Sequence, residues 1–178
     1  MDAYLVSKCF AEWTALGGVA DTTPITDQNI LSIFNKMMED MDEERVPQQG
    51  RVLYVTPAIH RILKETEAIG RSIDLRNRAT SLTTLVTDID NVRLEMVPSV
   101  LMRTAYNFTE GARPAVTSRQ INMLLGHNSA VATPVKYTSV RLDAPAAISD
   151  DKWIYFERAY EDVFVLQHKR PALAFHIT

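Results

Sequence analysis

The sequence GRVLYVTP, residues 50–57, contains a complete strand-to-helix junction. Gly50 closes a polar turn, and residues 51–55 are mostly β-branched, aliphatic and aromatic, which predicts a short strand. Thr56 and Pro57 then match an N-cap followed by proline at the first helical position. The helix that follows places its apolar residues at helical spacing, and these are Ile59, Ile62 and Leu63.

Two further helices are predicted before this junction. The first covers residues 3–16 and has an apolar face made of Leu5, Cys9, Trp13 and Leu16. Gly17 and Gly18 end it, because glycine tolerates the left-handed conformation found after helices. Thr26 is a candidate N-cap for the second helix. That helix has an apolar stripe of Ile30, Phe34, Met37, Met38 and Met41, and such methionines typically fill a core.

After the junction the pattern becomes less regular. Residues 66–90 have no sustained apolar period, which predicts a long loop that is either mobile or faces neighbouring subunits. Alternation over residues 92–96 predicts a strand, and residues 120–125 predict a buried one. We interpret residues 102–108 as a turn-rich connection and residues 128–137 as a short helix or turn.

The C-terminal part has the two-residue period of strands. Apolar residues of one parity recur from Trp153 to Leu166, and alternation returns over residues 173–177 after Lys169-Arg170-Pro171. This predicts an antiparallel hairpin between the two stretches. Helices and mixed strands followed by a β element indicate an α+β fold, with a central mixed sheet and a separate C-terminal β element near the first helix.

The composition is that of an ordinary globular domain, with 46% hydrophobic and 23% charged residues. No apolar run reaches the roughly 18 residues of a membrane span, and residues 1–13 have no signal-peptide pattern. Residues 1–50 contain 3 basic and 9 acidic side chains, whereas residues 51–178 contain 16 and 13. This asymmetry fits solvated acidic helices, and it equally fits complementary surfaces on a self-associating subunit.

We find no pattern of residues that predicts catalysis. The sequence contains no phosphate-binding glycine loop, GxSxG motif or HExxH motif. A lone cysteine, Cys9, cannot form an internal disulfide, and the acidic pairs at 88/90 and 150/151 lie in polar surroundings. Arg71, Arg76 and Arg78 form a basic cluster that suits either a solvated loop or a contact with a neighbour or with phosphates.

The four histidines, His60, His127, His168 and His176, fall in separate predicted elements, so we expect no catalytic, cofactor-binding or metal-ligating residues. His168 and His176 flank the predicted hairpin, where they could face each other.

Four blocks of residues occur in an order and spacing that resemble a known family. They are residues 50–57; Val97-Pro98-Ser99 with Met102 and Thr104-Ala105-Tyr106; Ile121-Asn122 with His127, Ser129-Ala130-Val131 and Lys136; and Tyr155, Arg158, Tyr160, Asp162, Phe164-Val165 and Lys169. Over residues 20–178 the sequence resembles the tailed-phage or prophage major capsid proteins with the Hong Kong 97-type fold. The resemblance implies a structural subunit of an icosahedral shell that encloses the DNA genome, and not an enzyme.

The resemblance also implies a division of the chain and a set of partners. Residues 1–19 would be the end of a spine helix in a peripheral lobe, residues 20–145 an axial lobe, and residues 146–178 strands that return to the peripheral lobe. Partners would be copies of the chain in hexamers and pentamers, scaffolding and portal proteins, and packaged DNA through nonspecific contacts, with no membrane. The protein would be in the virion capsid, and in the host bacterial cytoplasm during assembly.

One departure from the family bears on assembly. Its N-terminal arm and extended loop, which precede the spine helix, are missing from this sequence. We therefore expect the 178-residue chain alone to be a monomer or small oligomer. Two alternatives remain open, namely another phage structural component and an unrelated small enzyme or binding module. Arm and loop sequences encoded upstream would favour the capsid subunit, whereas a deep pocket with a perturbed titratable group would favour the enzyme or binding module.

Overall fold

The computed structural model describes residues 2–66, 88–109, 111–145 and 151–178, and within these ranges it contains three α-helices and eleven strands. The helices are α1 (Ala3–Ala15), α2 (Ile30–Glu43) and α3 (Pro57–Glu65). The strands are β1 (Arg51–Val55), β2 (Asp88–Ile89), β3 (Val92–Met96), β4 (Tyr106–Asn107), β5 (Arg113–Pro114), β6 (Ile121–His127), β7 (Val131–Ala132), β8 (Val135–Asp143), β9 (Ile154–Glu161), β10 (Phe164–Val165) and β11 (Leu173–Ile177). Short 3₁₀ helices cover Ser99–Leu101 and Gln167–Ala172.

The central element is a five-stranded mixed sheet with the strand order β11-β6-β1-β3-β2. Strand β1 runs parallel to β3 and antiparallel to β6, and β6 is antiparallel to β11. The chain returns from β1 to the parallel strand β3 through α3 and residues 66–87, as a parallel pair requires a long crossover. The predicted α+β fold with a central mixed sheet is confirmed.

One face of this sheet is covered by α2 and α3. Alternate residues of β1, Leu53 and Val55, point to this face and are almost fully buried, as strand geometry requires. The apolar stripe of α2 packs against them, which confirms that its methionines belong to the core. The buried residues of this cluster are Ile30, Ile33, Phe34, Met37, Met41, Leu53, Val55, Ile59, Leu63, Val92, Leu94, Met123 and Leu125.

The junction at residues 50–57 forms as predicted. Gly50 adopts a φ of 89°, a left-handed conformation that favours glycine, and Pro57 occupies the first turn of α3. The Arg51 side chain is buried between the α2–β1 turn and the sheet. Its guanidinium donates hydrogen bonds to the carbonyl oxygens of Val46 (2.6 Å) and Pro47 (3.1 Å) and to Asp42 Oδ1 (2.5 Å). These bonds hold the end of α2 against the start of β1.

On the opposite face, α1 packs across β11 and β6. The Trp13 ring lies 4.8 Å from the Phe175 ring, and the Phe10 ring lies 5.2 Å from it, measured between centroids. Gly17 ends the helix with a φ of 83°, and Gly18 follows directly beneath Trp13. A Cβ atom on Gly18 would lie 2.3 Å from the indole ring, so this position accepts only glycine without rearrangement.

The pairing of the C-terminal strands differs from the prediction. Strand β9 pairs with β8, and β11 pairs with β6 in the central sheet, so the predicted hairpin between residues 153–166 and 173–177 is wrong. A six-residue 3₁₀ helix containing Pro171 separates the two stretches and directs β11 into the core, where its side chains are mostly buried. Of the short helix or turn predicted at 128–137, a turn is present at residues 128–130, whereas β7 and the start of β8 occupy the later residues.

The long loop predicted at residues 66–90 falls mainly on residues 67–87, which lie outside the described residues, as do Arg71, Arg76 and Arg78. Residues 88–90 instead begin a tight hairpin between β2 and β3. Asp90 and Asn91 form its turn with φ values of 49° and 62°. Positive φ at two successive residues is the geometry of the type I′ turn, which suits the twist of adjacent antiparallel strands.

Candidate assembly surfaces

A long two-stranded ribbon, β8–β9, stands apart from the central sheet. The register pairs residues 137–143 with residues 160–154, and a bulge separates Val135 from the rest. Among the described strands, β8 and β9 pair only with each other, so one edge of each is open. Because an isolated two-stranded hairpin is at best marginally stable in water, we expect another surface to cover the ribbon.

The two faces of this ribbon differ in chemistry. On one face Arg141 stacks over the Phe156 ring at 5.0 Å from its centroid and forms an ion pair with Asp143 at 2.8 Å. The other face has exposed apolar residues, with relative exposures of 58% for Val140, 60% for Leu142 and 58% for Tyr155, beside Glu157, which accepts a hydrogen bond from the Tyr155 hydroxyl at 3.0 Å. Trp153, adjoining β9, is 64% exposed. Such a contiguous apolar surface marks a site of association.

The ribbon is joined to α1 by one polar contact at its base. The Tyr4 hydroxyl donates a hydrogen bond to Asp162 Oδ1 at 2.9 Å, and the backbone N–H of Val163 donates to the same oxygen at 2.8 Å. Both bonds stabilise the carboxylate and so hold the pKa of Asp162 below its usual value. The bond from the Val163 backbone has the larger effect on this pKa. The contact between α1 and the base of the ribbon is therefore strongest when Asp162 is ionised.

A second surface is a groove of about 560 Å³ between α1 and the sheet face that α1 only partly covers. Its floor is the half of the face formed by β1 and β3, where Val52 and Tyr54 are half-buried. Its apolar walls come from Leu5, Val6, Cys9, Met96, Val97, Pro98, Leu101, Leu124, Val131, Val163 and Leu173. Polar groups of Glu95, His127, Asn128 and Thr133 lie around it.

The titratable groups of the groove reflect its apolar character. Burial raises the pKa of the Cys9 thiol to about 12, so the thiol is protonated at neutral pH and a poor nucleophile. Desolvation, with a smaller contribution from Glu95, raises the pKa of the Tyr54 hydroxyl. Arg93 forms an ion pair with Glu95 at the β3 side. The groove therefore offers shape and apolar contact rather than an activated group.

A third surface is the acidic end of α2. Glu39, Asp40, Glu43 and Glu44 are exposed, and the last turn of the helix contains no basic residue. Acidic side chains at a helix C-terminus oppose the helix dipole, so this arrangement lowers the stability of α2. The acidic surface that the charge count of residues 1–50 indicated is therefore concentrated on the outside of one helix.

The histidines lie in separate places. His127 Nε2 donates to the carbonyl oxygen of Gln49 at 2.9 Å, and His176 is fully buried with Nε2 donating to the carbonyl oxygen of Thr23 at 2.7 Å. His60 is buried on α3, and His168 is exposed in the second 3₁₀ helix, so the suggested facing of His168 and His176 is wrong. Within the described ranges, no three histidine, cysteine or acidic side chains converge as metal ligands. The absence of metal, cofactor and catalytic residues stays a prediction.

The open ribbon is the feature that sequence reasoning missed. The sequence predicts the strand at 153–166 but not its partner β8. The apolar side chains of β8 are interspersed with charged and hydroxyl ones, and most of its side chains are exposed. The apolar residues Val140 and Leu142, two positions apart, are the signal that would have indicated a strand there. Across the described residues, no helix has the length and apolar character needed to span a membrane.

The fold is shared with chains from bacteriophage structures, two of which are capsid structures. A chain from Mycobacterium phage Che8 matches 98% of this chain with a TM-score of 0.60 and 14% identity. A chain from the capsid structure of cyanophage P-SCSP1u matches 90% (TM-score 0.56, 16% identity), and one from the mature capsid of bacteriophage PhiM1 matches 85% (TM-score 0.57, 12% identity). These matches cover 55%, 50% and 47% of the three chains, so the present chain spans about half their length. Neither a protein-family model nor a curated protein matches the sequence.

Proposed function

We propose that this chain is a structural subunit of a bacteriophage or prophage icosahedral capsid, which self-assembles into the shell that encloses the DNA genome. The observation that carries the proposal is the fold, which is shared with chains from two phage capsid structures over 85–90% of this chain and with a chain from Mycobacterium phage Che8 over 98% of it. Fold alone does not determine function, so the surfaces must also suit the role. A shell subunit requires a stable core and several surfaces that match other copies of itself.

The surfaces support this role. The apolar face of the β8–β9 ribbon and the groove beside α1 are different patches, and contacts between unlike patches generate rings when the rotation closes. We propose hexamers and pentamers of the chain as the assembled units. The cluster of exposed acids on α2 is suited to a face turned away from packaged DNA, since it would repel phosphates.

The remaining parts of the proposal concern partners, place and organisation. Scaffolding and portal proteins are proposed partners during assembly, and the contact with packaged DNA is proposed to be nonspecific. The protein is placed in the virion, and in the host cytoplasm before assembly, and it is assigned no catalytic role. We also propose the division into a spine-helix end (residues 1–19), an axial lobe (20–145) and returning C-terminal strands (146–178). Of these last strands, β11 belongs to the central sheet.

Electron microscopy of the protein produced from its complete gene in a bacterial host tests the proposal. Closed shells or hexameric and pentameric rings are the expected product. A matched pair of variants relates the particles to the ribbon. Leu142→Asp places a charge on its exposed apolar face and should abolish particles, whereas Lys36→Asp on the outer side of α2 should leave them intact. If the wild-type protein forms no particles, with or without its neighbouring phage proteins, the proposed function is wrong.

A further inference from the structure

The end of β6 contains a histidine whose two ring nitrogens have fixed roles. His127 Nδ1 accepts a hydrogen bond from the backbone N–H of Ser129 at 3.2 Å. Its Nε2 atom lies 2.9 Å from the carbonyl oxygen of Gln49, which can only accept, so the ring proton is on Nε2. The Nδ1 atom is therefore an unprotonated base that lies against a backbone N–H group.

This N–H group belongs to the residue that follows an asparagine. Asn128 and Ser129 are both exposed, and both lie in the turn between β6 and β7. The backbone nitrogen after an asparagine can attack the side-chain amide carbon and close a succinimide ring, because the reacting atoms are on adjacent residues. The nitrogen is a poor nucleophile until it loses its proton, and His127 Nδ1 lies at that proton.

Asn128 also has the local sequence that suits this reaction. It precedes a serine, whereas the other six asparagines of the sequence precede Ile30, Lys36, Arg78, Val92, Phe108 and Met123. A large or β-branched side chain crowds the nitrogen that must attack, and serine leaves it accessible. Asn35 and Asn122 are in addition held within α2 and β6, where ring closure would disrupt backbone hydrogen bonds.

The surroundings of the turn hold the reacting groups together and leave them open to water. The backbone N–H of Ala130 donates a hydrogen bond to the carbonyl oxygen of His127 at 2.9 Å, which closes the turn around Asn128 and Ser129. Asn128 lines the groove beside α1, so its side chain borders open space and not packed core. Ring closure and the departure of ammonia therefore require no opening of the core.

We propose that Asn128 is a site of spontaneous deamidation in which His127 acts as the general base. His127 Nδ1 takes the proton of the Ser129 N–H, the freed nitrogen forms a bond to Cγ of Asn128, and the bond between Cγ and Nδ2 breaks. The proton leaves with Nδ2 as ammonia. Water then opens the succinimide at one of its two carbonyl carbons, which leaves aspartate or isoaspartate in place of Asn128.

This self-modification goes beyond the proposed function and does not depend on it. It occurs once in each chain and acts on no external substrate, so it assigns no enzyme activity to the protein. A carboxylate replaces a neutral amide at the groove, and the isoaspartate product lengthens the main chain of the β6–β7 turn by one methylene group. The protein therefore gains a negative charge as it ages.

Comparison of the folded and unfolded protein tests the role of the imidazole. Folding normally slows deamidation, because an ordered backbone resists ring closure. At Asn128 the folded protein should instead react faster than the same chain in urea, by about tenfold or more, since only the fold holds His127 Nδ1 at the reacting N–H. Asn91 is the internal control, because it is also exposed in a turn but precedes Val92. Peptide mapping by mass spectrometry measures both rates, and a slower reaction of Asn128 in the folded state would overturn the proposal.

Two variants separate the imidazole from the serine hydroxyl, which lies 2.8 Å from the same Nδ1 atom. His127→Gln removes the base and should slow deamidation of Asn128 by about tenfold or more while leaving Asn91 unchanged. Ser129→Ala removes the hydroxyl but retains the backbone N–H, so it should keep the fast rate. A fast rate in His127→Gln, or its loss in Ser129→Ala, would refute the assignment of His127.

The pH dependence gives a readout that a purely structural role of His127 would not change. Attack promoted by hydroxide rises about tenfold with each pH unit, whereas attack promoted by an imidazole levels off once the ring is neutral. Between about pH 7 and pH 9 the rate at Asn128 should therefore rise less steeply than the rate at Asn91, and equal slopes would contradict the proposal. Circular dichroism and the urea midpoint verify that His127→Gln is folded; should it not be, the wild-type comparisons decide.

Discussion

Replacing Gly18 with alanine tests how tightly α1 is held against the sheet. The new Cβ atom would lie 2.3 Å from the Trp13 indole, whereas ordinary contacts begin near 3.4 Å, so the ring must move by about 1 Å. The ring cannot move freely, because Phe175 lies 4.8 Å and Phe10 lies 6.2 Å from it, centroid to centroid. Overpacking of this kind costs about 1–3 kcal/mol, and the reduced entropy of the unfolded chain offsets about 0.4–1 kcal/mol.

The net expectation for Gly18→Ala is a loss of about 1–2 kcal/mol in unfolding free energy, or about 2–8 °C in Tm for a chain of this size. Urea unfolding followed by circular dichroism measures it. A double-mutant cycle identifies the cause, since in a Trp13→Leu background the same alanine has no ring to displace and should be neutral or slightly stabilising. If Gly18→Ala costs the same in both backgrounds, the steric argument is wrong.

Two further predictions concern polar contacts. Arg51→Met retains the packing of the side-chain stem but leaves the carbonyls of the α2–β1 turn without their donor, so urea unfolding should show a loss of about 1–3 kcal/mol in the free energy of unfolding. Arg61→Met removes an exposed ion pair with Glu65 and should change this free energy little. Equal losses in the two variants would contradict the role of burial. The lowered pKa of Asp162 means that its ionised form contributes stability above the unfolded pKa of about 3.9 and that this contribution is lost as pH falls through the folded pKa. Asp162→Asn should therefore lose less stability than the wild type between about pH 5 and pH 2 in acid titrations followed by circular dichroism, and identical acid sensitivity would contradict the assignment.

The parts of the fold that the sequence predicts are those with local signals. The strand-to-helix junction at 50–57 depends on a turn glycine, a short β-rich run and a proline at the first helical position, all within eight residues. The stripe of α2 and the glycine stop after α1 are equally local. Each was found where expected because the residues that determine it are neighbours along the chain.

The parts that the sequence did not predict depend on pairing between distant residues. Alternation over residues 153–166 indicates a strand but does not distinguish β8 from β11 as its partner. The prediction of a hairpin rests on the shorter connection, whereas the structure pairs β9 with β8 and β11 with β6. Strand β8 is difficult to predict because its charged and hydroxyl residues face solvent in a ribbon that has no core of its own. The groove could not be predicted either. Val52 and Tyr54 are only half-buried, but the sequence pattern of β1 is the same as that of a strand whose two faces are both covered.

The order in which the strands can form has a consequence for folding in the cell. Residues 143 and 154 face each other in the ribbon, so β8 and β9 pair by closing a short loop, and hairpins of this kind form within microseconds. The central sheet needs β11 beside β6 and His176 beside Asp21, contacts separated by about 50 and 155 residues, and such distant contacts form slowly. The exposed aromatic residues of the ribbon are therefore presented before the sheet is complete. Premature association of unfinished chains then competes with folding, and at high expression levels a chaperone that shields the ribbon would raise the yield of native subunits.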